Sequence, residues 1–588
     1  MDYLKAADTV FDSVYETPVL IIGAGAAGAR TAIGLQQEGI ESLVVGKRDY
    51  GDAHTVWAAG GVNASLGSRD PEDDWKIHAA DTLVEGHLIN DPTGVEAVTK
   101  TMPERIRELD EWGMEFARTE QGEIDQRYFG AQSFRRTCYV GDRTGEAMLN
   151  TLVRKAQSLN IPYQENVMIT QLVSDSEEVY GAVGFDMETG ETLYFDADYV
   201  VLAAGGYSSV YSRHSSRDDE NNGDAAALAI DAGAELLDME FVQFHPTGMI
   251  RPGDGDDWSG RLVTEAVRGE GGRLYNVNGE RFMKRYSPEQ MELDARDVVA
   301  RAIAKEIEEG RGTENGGVYL DISHRERDFI KRQLPRMYAR FEELGVDLSE
   351  EAVEVAPTAH YTMGGVDIDF DSGETAVRRL YAVGEATGGV HGANRLGGNS
   401  LAETVAIGAI VAQHISQTYA PQSTAPSNTS LEKYRLRITE RKQSKGTYTP
   451  QELMSQITAT MTKYGGIVRT EEQLRKGLAQ LEQIGRNSVE NQRIDPEQSR
   501  STEYSFNVDF MLTTAKCVLT GALLRKESRG AHYREDFTET DRAHKVNIVY
   551  KKNANGEIET VTRDVPEPSE EIQQTIDEDH HLEYHFLE

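Results

Sequence analysis

Cysteine is nearly absent: Cys138 and Cys517 are the only thiols in 588 residues. Two thiolates cannot hold a four-thiolate iron–sulfur cluster, so any such cluster must sit on a partner. Nor can they build a disulfide scaffold, and their scarcity fits a reducing cytosol. Long apolar runs are missing as well, and no stretch reaches the roughly 18 apolar residues of a membrane span. The N-terminus, MDYLKAADTVFDSVYETPVLIIG, has no basic segment followed by an apolar one, so no secretory signal is expected. Positive charge is scarce: 61 Lys and Arg stand against 99 Asp and Glu, a formal net charge of −38. That balance disfavours nucleic acid as a partner, because like charges repel. The acid is spread along the chain rather than gathered in a tail. Such a surface suits a salt-rich cytoplasm, where screening limits self-repulsion.

What remains is a soluble, globular composition, long enough for two to four domains. From Pro18, PVLIIGAGAAGARTAIGLQQEGIESLVVGKR reads as strand, glycine turn, helix and strand. Gly23, Gly25 and Gly28 form GxGxxG between the apolar run and the helix. The first glycines make the turn and admit a pyrophosphate, the third lets helix pack on strand, and the helix N-terminus faces the phosphates. The second strand ends in Gly46-Lys47, where an acid for ribose hydroxyls is expected. YVVLAAGG, 199–206, is a further strand running into paired glycines. RRLYAVGEATGG, from Arg378, places Glu385 where a ribose or ribityl chain could donate to it. The two stretches lie about 180 residues apart, so the nucleotide-binding domain is discontinuous, with an insertion near 250–355. QTYAPQSTAPSNTS, from Gln417, is a linker. Beyond it, LEKYRLRITERK and EEQLRKGLAQLEQI carry apolar residues at helical spacing and predict a bundle. VNIVY and GEIETVTR flank an Asn-Gly turn and predict a terminal hairpin.

DAHTVWAAGG, 52–61, sets His54 ahead of a loop of small residues. Taken alone, that is an ordinary solvent-facing histidine. Further motifs follow in order: QSFRRTCYVGDRTG, EFVQFHPTG, LVTEAVRGEGG, ARDVVARAI, VYLDISH, PTAHYTMGGV, HGANRLGGNSL and ESRGAHYRED. Together they resemble the flavoprotein subunits of succinate dehydrogenase and fumarate reductase, within an FAD-dependent oxidoreductase family that also contains L-aspartate oxidase. The resemblance covers roughly 17–540.

It implies FAD, joined covalently through His54 to the flavin 8α-methyl carbon. Electron withdrawal there would raise the flavin potential, and the small residues of 58–61 would let the backbone lie against the ring. The family usually has Gln where Ala59 stands, so a hydrogen bond to the flavin edge would be lost. The cofactor residues implied are Gly23, Gly25, Gly28, His54, Thr55, Gly60, Gly61, Asp224, Glu385 and Ser400. Asp224 departs from the family pattern in being followed by Ala225 rather than glycine. The substrate is a small dicarboxylate dianion. His245 and Thr264 would hold one carboxylate, His360 and Arg395 the other, with the arginine fork binding bidentately. Arg296 would donate or accept the substrate proton, with Glu265 and Arg268 relaying it to solvent; Arg301 is a poorer match for that role. No metal ligands are assigned. L-aspartate oxidase carries a glutamate for the substrate ammonium near the position where this chain has Phe129, followed by uncharged Gly130, Ala131 and Gln132, so a dicarboxylate without nitrogen is favoured.

The fold class implied is α/β: a discontinuous Rossmann-like FAD-binding domain, 1–250 and 356–420, an inserted α+β capping domain, 251–355, a helical domain, 430–540, and an extension, 541–588. The partners implied are an iron–sulfur subunit, the membrane anchor subunits reached through it, and quinone. They place the chain in the cytoplasm against the inner face of the membrane. The alternatives are an L-aspartate oxidase-like or other soluble fumarate-reducing flavoenzyme that lacks an iron–sulfur partner, and a non-catalytic flavin-holding protein. The direction of the reaction is not legible, since both directions use the same residues.

Overall fold

The computed structural model describes residues 7, 10–251, 259–422, 428–495, 500–553 and 555–578. Part of the linker after Gln417 and the end of the C-terminal extension lie outside the described residues. The apolar run Val19–Ile22 ends the strand Ser13–Ile22 and is buried. It pairs in parallel with Ser42–Val45 on one side and Thr192–Leu202 on the other. A run apolar on both faces suits the middle of a sheet covered on both sides. The helix Ala26–Gln37 leaves the glycine turn and packs on the long helix Asn399–Thr418. The strand Thr192–Leu202 closes the discontinuity. Its first half pairs antiparallel with Val179–Asp186, and its last residues pair in parallel with Leu380–Ala382. The returning segment thus completes the same sheet.

The insertion hangs from two antiparallel strands, Val242–Met249 and Val353–Thr362. Val318–Asp321 and Arg273–Tyr275 extend that sheet, and the helix Arg296–Glu308 packs on it. A separate apolar core, from Met249 to Val355, holds this unit together. Its supporting strands begin before 251 and end after 355, because each runs from the cap into the nucleotide-binding domain.

Pro450–Tyr464, Glu471–Asn491 and Ser501–Leu524 form the expected helical bundle. Thr449 and Glu452 make a reciprocal capping box at its start. The bundle stops at Leu524, short of the expected 540. From Arg525 the chain instead threads a buried ionic network. Arg525 meets Glu240 at 2.7 Å, Arg529 meets Glu527 at 2.8 Å, and Arg534 donates to the Ala522 carbonyl at 2.8 Å. Those buried charges require partners from several directions, which a helix cannot supply. The terminal hairpin forms between Val546–Lys552 and Ile558–Asp564. The helix Glu570–Asp577 follows, and its Ile572 is buried with Ala79, Leu83 and Val95. Among the described residues, no helix is long and apolar enough to cross a membrane.

Candidate functional site

One elongated cavity runs along the C-terminal ends of the parallel strands. Gly23 and Gly25 line one end. Gly23 has φ +116°, and a Cβ there would stand 2.2 Å from the Ala203 carbonyl oxygen. Gly28 faces inward under the turn, where a Cβ would stand 2.1 Å from the Gly23 carbonyl oxygen. The turn therefore tolerates only glycine at both positions. The helix Ala26–Gln37 begins at this end on Gly25, which offers no side-chain cap, so its first-turn amides beyond Ala26 are left to an anion. Thr55 Oγ1 accepts from the Ala26 amide at 3.2 Å, tying the His54 loop to that turn. Ser400 reaches the same cavity from the first turn of Asn399–Thr418.

Lys47, which stands where an acid was expected, clasps an acid from elsewhere: its ammonium lies 2.5 Å from Asp224. Burial pulls Lys47 down, but Asp224 and Glu503 outweigh it and its pKa ends above the ordinary lysine value. Glu385 accepts from the Thr362 amide at 3.1 Å, and burial pushes its carboxyl up to about 7. His54 starts the short 3₁₀ turn His54–Trp57 and lines the cavity. Its Nδ1 is buried, 3.8 Å from Glu220, with no hydrogen-bond partner among the described residues. Anion-ready amides, polar groups for sugar hydroxyls and an orphaned imidazole nitrogen fit a flavin dinucleotide. Gly60 and Gly61 do not line this cavity. A Cβ on Gly60 would stand 2.5 Å from the Phe129 ring, and one on Gly61 2.3 Å from the Thr137 side chain. They let the loop lie flat on its support.

The residues expected to hold a dicarboxylate converge between the cavity and the cap. Arg296 donates from Nε to Glu265 at 2.9 Å and from Nη1 to Gln243 Oε1 at 2.9 Å. Arg395 Nη2 donates to the same Gln243 oxygen at 2.9 Å, and its guanidinium lies 4.5 Å from the Tyr361 ring centroid. Burial, then the neighbouring Arg296, pulls Arg395 down to about 9. The rings of His245 and His360 stand edge to face with centroids 5.6 Å apart. His245 Nδ1 accepts from the Thr247 amide at 3.2 Å, so its proton resides on Nε2. Burial, reinforced by nearby guanidinium groups, holds both histidines well below the usual imidazole range. Each is therefore a neutral hydrogen-bonding group. Thr264 Oγ1 and Arg395 Nε are buried without a hydrogen-bond partner among the described residues. Burying such groups is costly unless an acceptor meets them.

Glu265 and Arg268 approach at 3.7 Å, and Arg268 is fully buried. The pair is thus internal. Burial would raise Glu265, but Arg296 and Arg268 outweigh it and leave its carboxyl below the ordinary value. Arg301 meets Asp297 and the Gly530 carbonyl instead, outside this group. Phe129 packs against Gly60 and Gly397 and offers no polar group.

Three participants escape sequence reasoning. Gln243 bridges the two arginines; it stands in the quoted QFHPTG stretch, but a neutral amide carries no charge signal. Asn394 holds Gln243 at 2.9 Å and donates to Glu85 at 2.7 Å. Ser215 orients His360 through a 2.9 Å bond to Nδ1 from 145 residues away, and no local pattern marks it.

Comparison with known proteins places the chain in a family. The family model described as FAD binding domain matches residues 18–401, and the one described as fumarate reductase flavoprotein C-term matches 454–575. One component of the fumarate reductase (CoM/CoB) of Methanothermobacter marburgensis is 42% identical over 534 residues, 90% of this chain and 95% of the relative. The succinate dehydrogenase flavoprotein subunit of Rickettsia conorii is 36% identical, covering 88% of this chain and 90% of the relative. Among solved structures, Mycobacterium smegmatis Sdh1 in complex with UQ1 superposes with TM-score 0.87 at 35% identity, covering 97% of this chain and 98% of that one. A quinol-fumarate reductase with menaquinol molecules gives 0.88 at 31%, covering 95% and 99%. A nucleotide-binding sheet, a cap and a cleft between them define an FAD-binding oxidoreductase. More particularly, the chain belongs to the family of succinate dehydrogenase and fumarate reductase flavoprotein subunits.

Proposed function

We propose that the chain interconverts succinate and fumarate. The observation that carries this is Gln243 Oε1, which accepts from both Arg296 and Arg395, in a site that also holds two neutral histidines. Arg395 and His360 take one carboxylate, and His245 and Thr264 the other. Arg296 is left over the central carbons with its proton, and Glu265 with Arg268 exchanges that proton with solvent. The bound flavin supplies the hydride chemistry, while the protein supplies position and charge. Electrons pass to or from an iron–sulfur partner, which holds the chain against the inner face of the membrane through anchor subunits linked to quinone. Residues 1–250 and 356–420 serve FAD, 251–355 cap the substrate, 430–540 carry the helical domain, whose bundle ends at Leu524, and 541–588 form the extension. The FAD-loaded protein is expected to reduce a dye with succinate and to oxidise a reduced viologen with fumarate. Activity with L-aspartate and none with succinate overturns the reading.

The flavin is attached covalently through His54, an imidazole with an orphaned buried nitrogen in the cavity wall. After acid precipitation the chain is expected to retain flavin fluorescence, and His54→Ala to release all of it while still binding FAD. The variant loses succinate oxidation more than fumarate reduction, because its flavin potential falls. Free FAD in the supernatant of the unaltered protein refutes the linkage.

The net charge of −38 suits a salt-rich cytoplasm. At about 1 M salt the Debye length is roughly 3 Å, so self-repulsion is screened. Tm is expected to rise between about 0.1 M and 2 M KCl. A flat or falling Tm in calorimetry refutes this.

A further inference from the structure

A second, smaller cavity adjoins the first, and His360 borders both. Thr264, with its orphaned hydroxyl, lies in the wall of the second. The rest of that wall is unusually cationic. Arg261, Arg336 and Arg340 all face it, in a chain where acids outnumber bases 99 to 61. Arg261 precedes Thr264 in the cap, donates to the Ser215 carbonyl at 3.1 Å and lies 4.3 Å from the Trp57 ring centroid. Ser215 also orients His360, so one residue ties the cationic wall to the dicarboxylate site. Arg336 and Arg340 lie one turn apart on the cap helix Pro335–Glu343. Their acid partners, Glu146 at 3.5 Å and Glu343 at 2.9 Å, are 40% and 66% exposed. Exposed ion pairs are worth little, so Glu146 and Glu343 compete only weakly with an incoming anion.

Resting on the dicarboxylate reading above, we propose that this cavity is the mouth of the site. In it Arg336 and Arg340 capture the substrate as a dianion and pass it inward to His360 and Thr264. A strongly acidic protein repels a dianion at its surface, and a cleft lined with the opposite sign restores the encounter rate. The two arginines touch no reacting atom, so they act on capture and not on turnover.

The test uses the FAD-loaded protein with a reduced viologen as donor, and the double variant Arg336→Gln/Arg340→Gln. At low salt its kcat/KM for fumarate is expected to fall roughly ten-fold, the lower end of steering effects, with kcat unchanged. The ratio of wild type to variant should shrink toward one as KCl is raised. Arg336→Lys/Arg340→Lys, which keeps the charge, should recover most of the loss. Arg475→Gln/Lys476→Gln removes the same charge from the exposed face of Glu471–Asn491 and should leave kcat/KM unchanged. An unchanged kcat/KM in Arg336→Gln/Arg340→Gln, or an equal fall in the remote variant, overturns the proposal. If the wild type itself neither binds nor reduces fumarate, the dicarboxylate reading fails, and this proposal with it.

Discussion

Arg296→Lys is expected to lower kcat for fumarate reduction by about 10²–10⁴-fold, the usual cost of a lost general acid. Arg296 spans two partners at once, Glu265 and Gln243, each at 2.9 Å. A guanidinium fork can do this; an ammonium is a point charge on a flexible stem and cannot hold both directions. Arginine ordinarily keeps its proton, and the Glu265 carboxylate against Nε and Nη2 gives that proton a way back. Fumarate binding should change far less, because His245, Thr264, His360 and Arg395 remain. The interaction is used mainly in the transition state, so kcat and kcat/KM should fall together. Steady-state kinetics with a reduced viologen decide it. Near-normal turnover with a much raised KM shows that Arg296 only binds, and leaves His245 or His360 as the proton donor.

Arg395→Ala should fail differently. Its guanidinium is buried, lies over the Tyr361 ring and is bonded to Gln243. Losing one member of a buried charge pair typically costs about 2–5 kcal/mol. The Kd for fumarate, or for the unreactive dicarboxylate malonate, is therefore expected to rise by roughly 30- to 5,000-fold. Rate should fall as well, since the substrate loses its orientation. Titration followed by the flavin absorbance change reads the affinity directly. An unchanged Kd would show that the carboxylate is held elsewhere.

Much of the molecule is legible in its residues because local physics is strong there. GAGAAG sits between an apolar strand and a helix, and hydrophobic periodicity with glycine sterics leaves that stretch few alternatives. The return of the sheet at LYAVG and the Asn-Gly hairpin follow from equally local signals. The end of the bundle at Leu524 does not, because Arg525, Arg529 and Arg534 find their partners outside any one helix.

Within the site, His54, His245, Arg296, His360 and Arg395 announce themselves as charged or titratable groups in recognisable motifs. Gln243 and Ser215 do not, since an amide or a hydroxyl gains its role only from what the fold puts beside it. The sequence by itself determined the dinucleotide-binding architecture, the scarcity of thiols, the acidic composition and the candidate groups for a dicarboxylate. Only the tertiary structure decided how those groups are used. It set Lys47 against Asp224, joined Arg296 and Arg395 through one amide oxygen, made both histidines neutral by burial, and brought Arg261, Arg336 and Arg340 to one cavity. Periodicity and steric preference act over a few residues. Burial, charge pairing and convergence depend on atoms far apart in the chain.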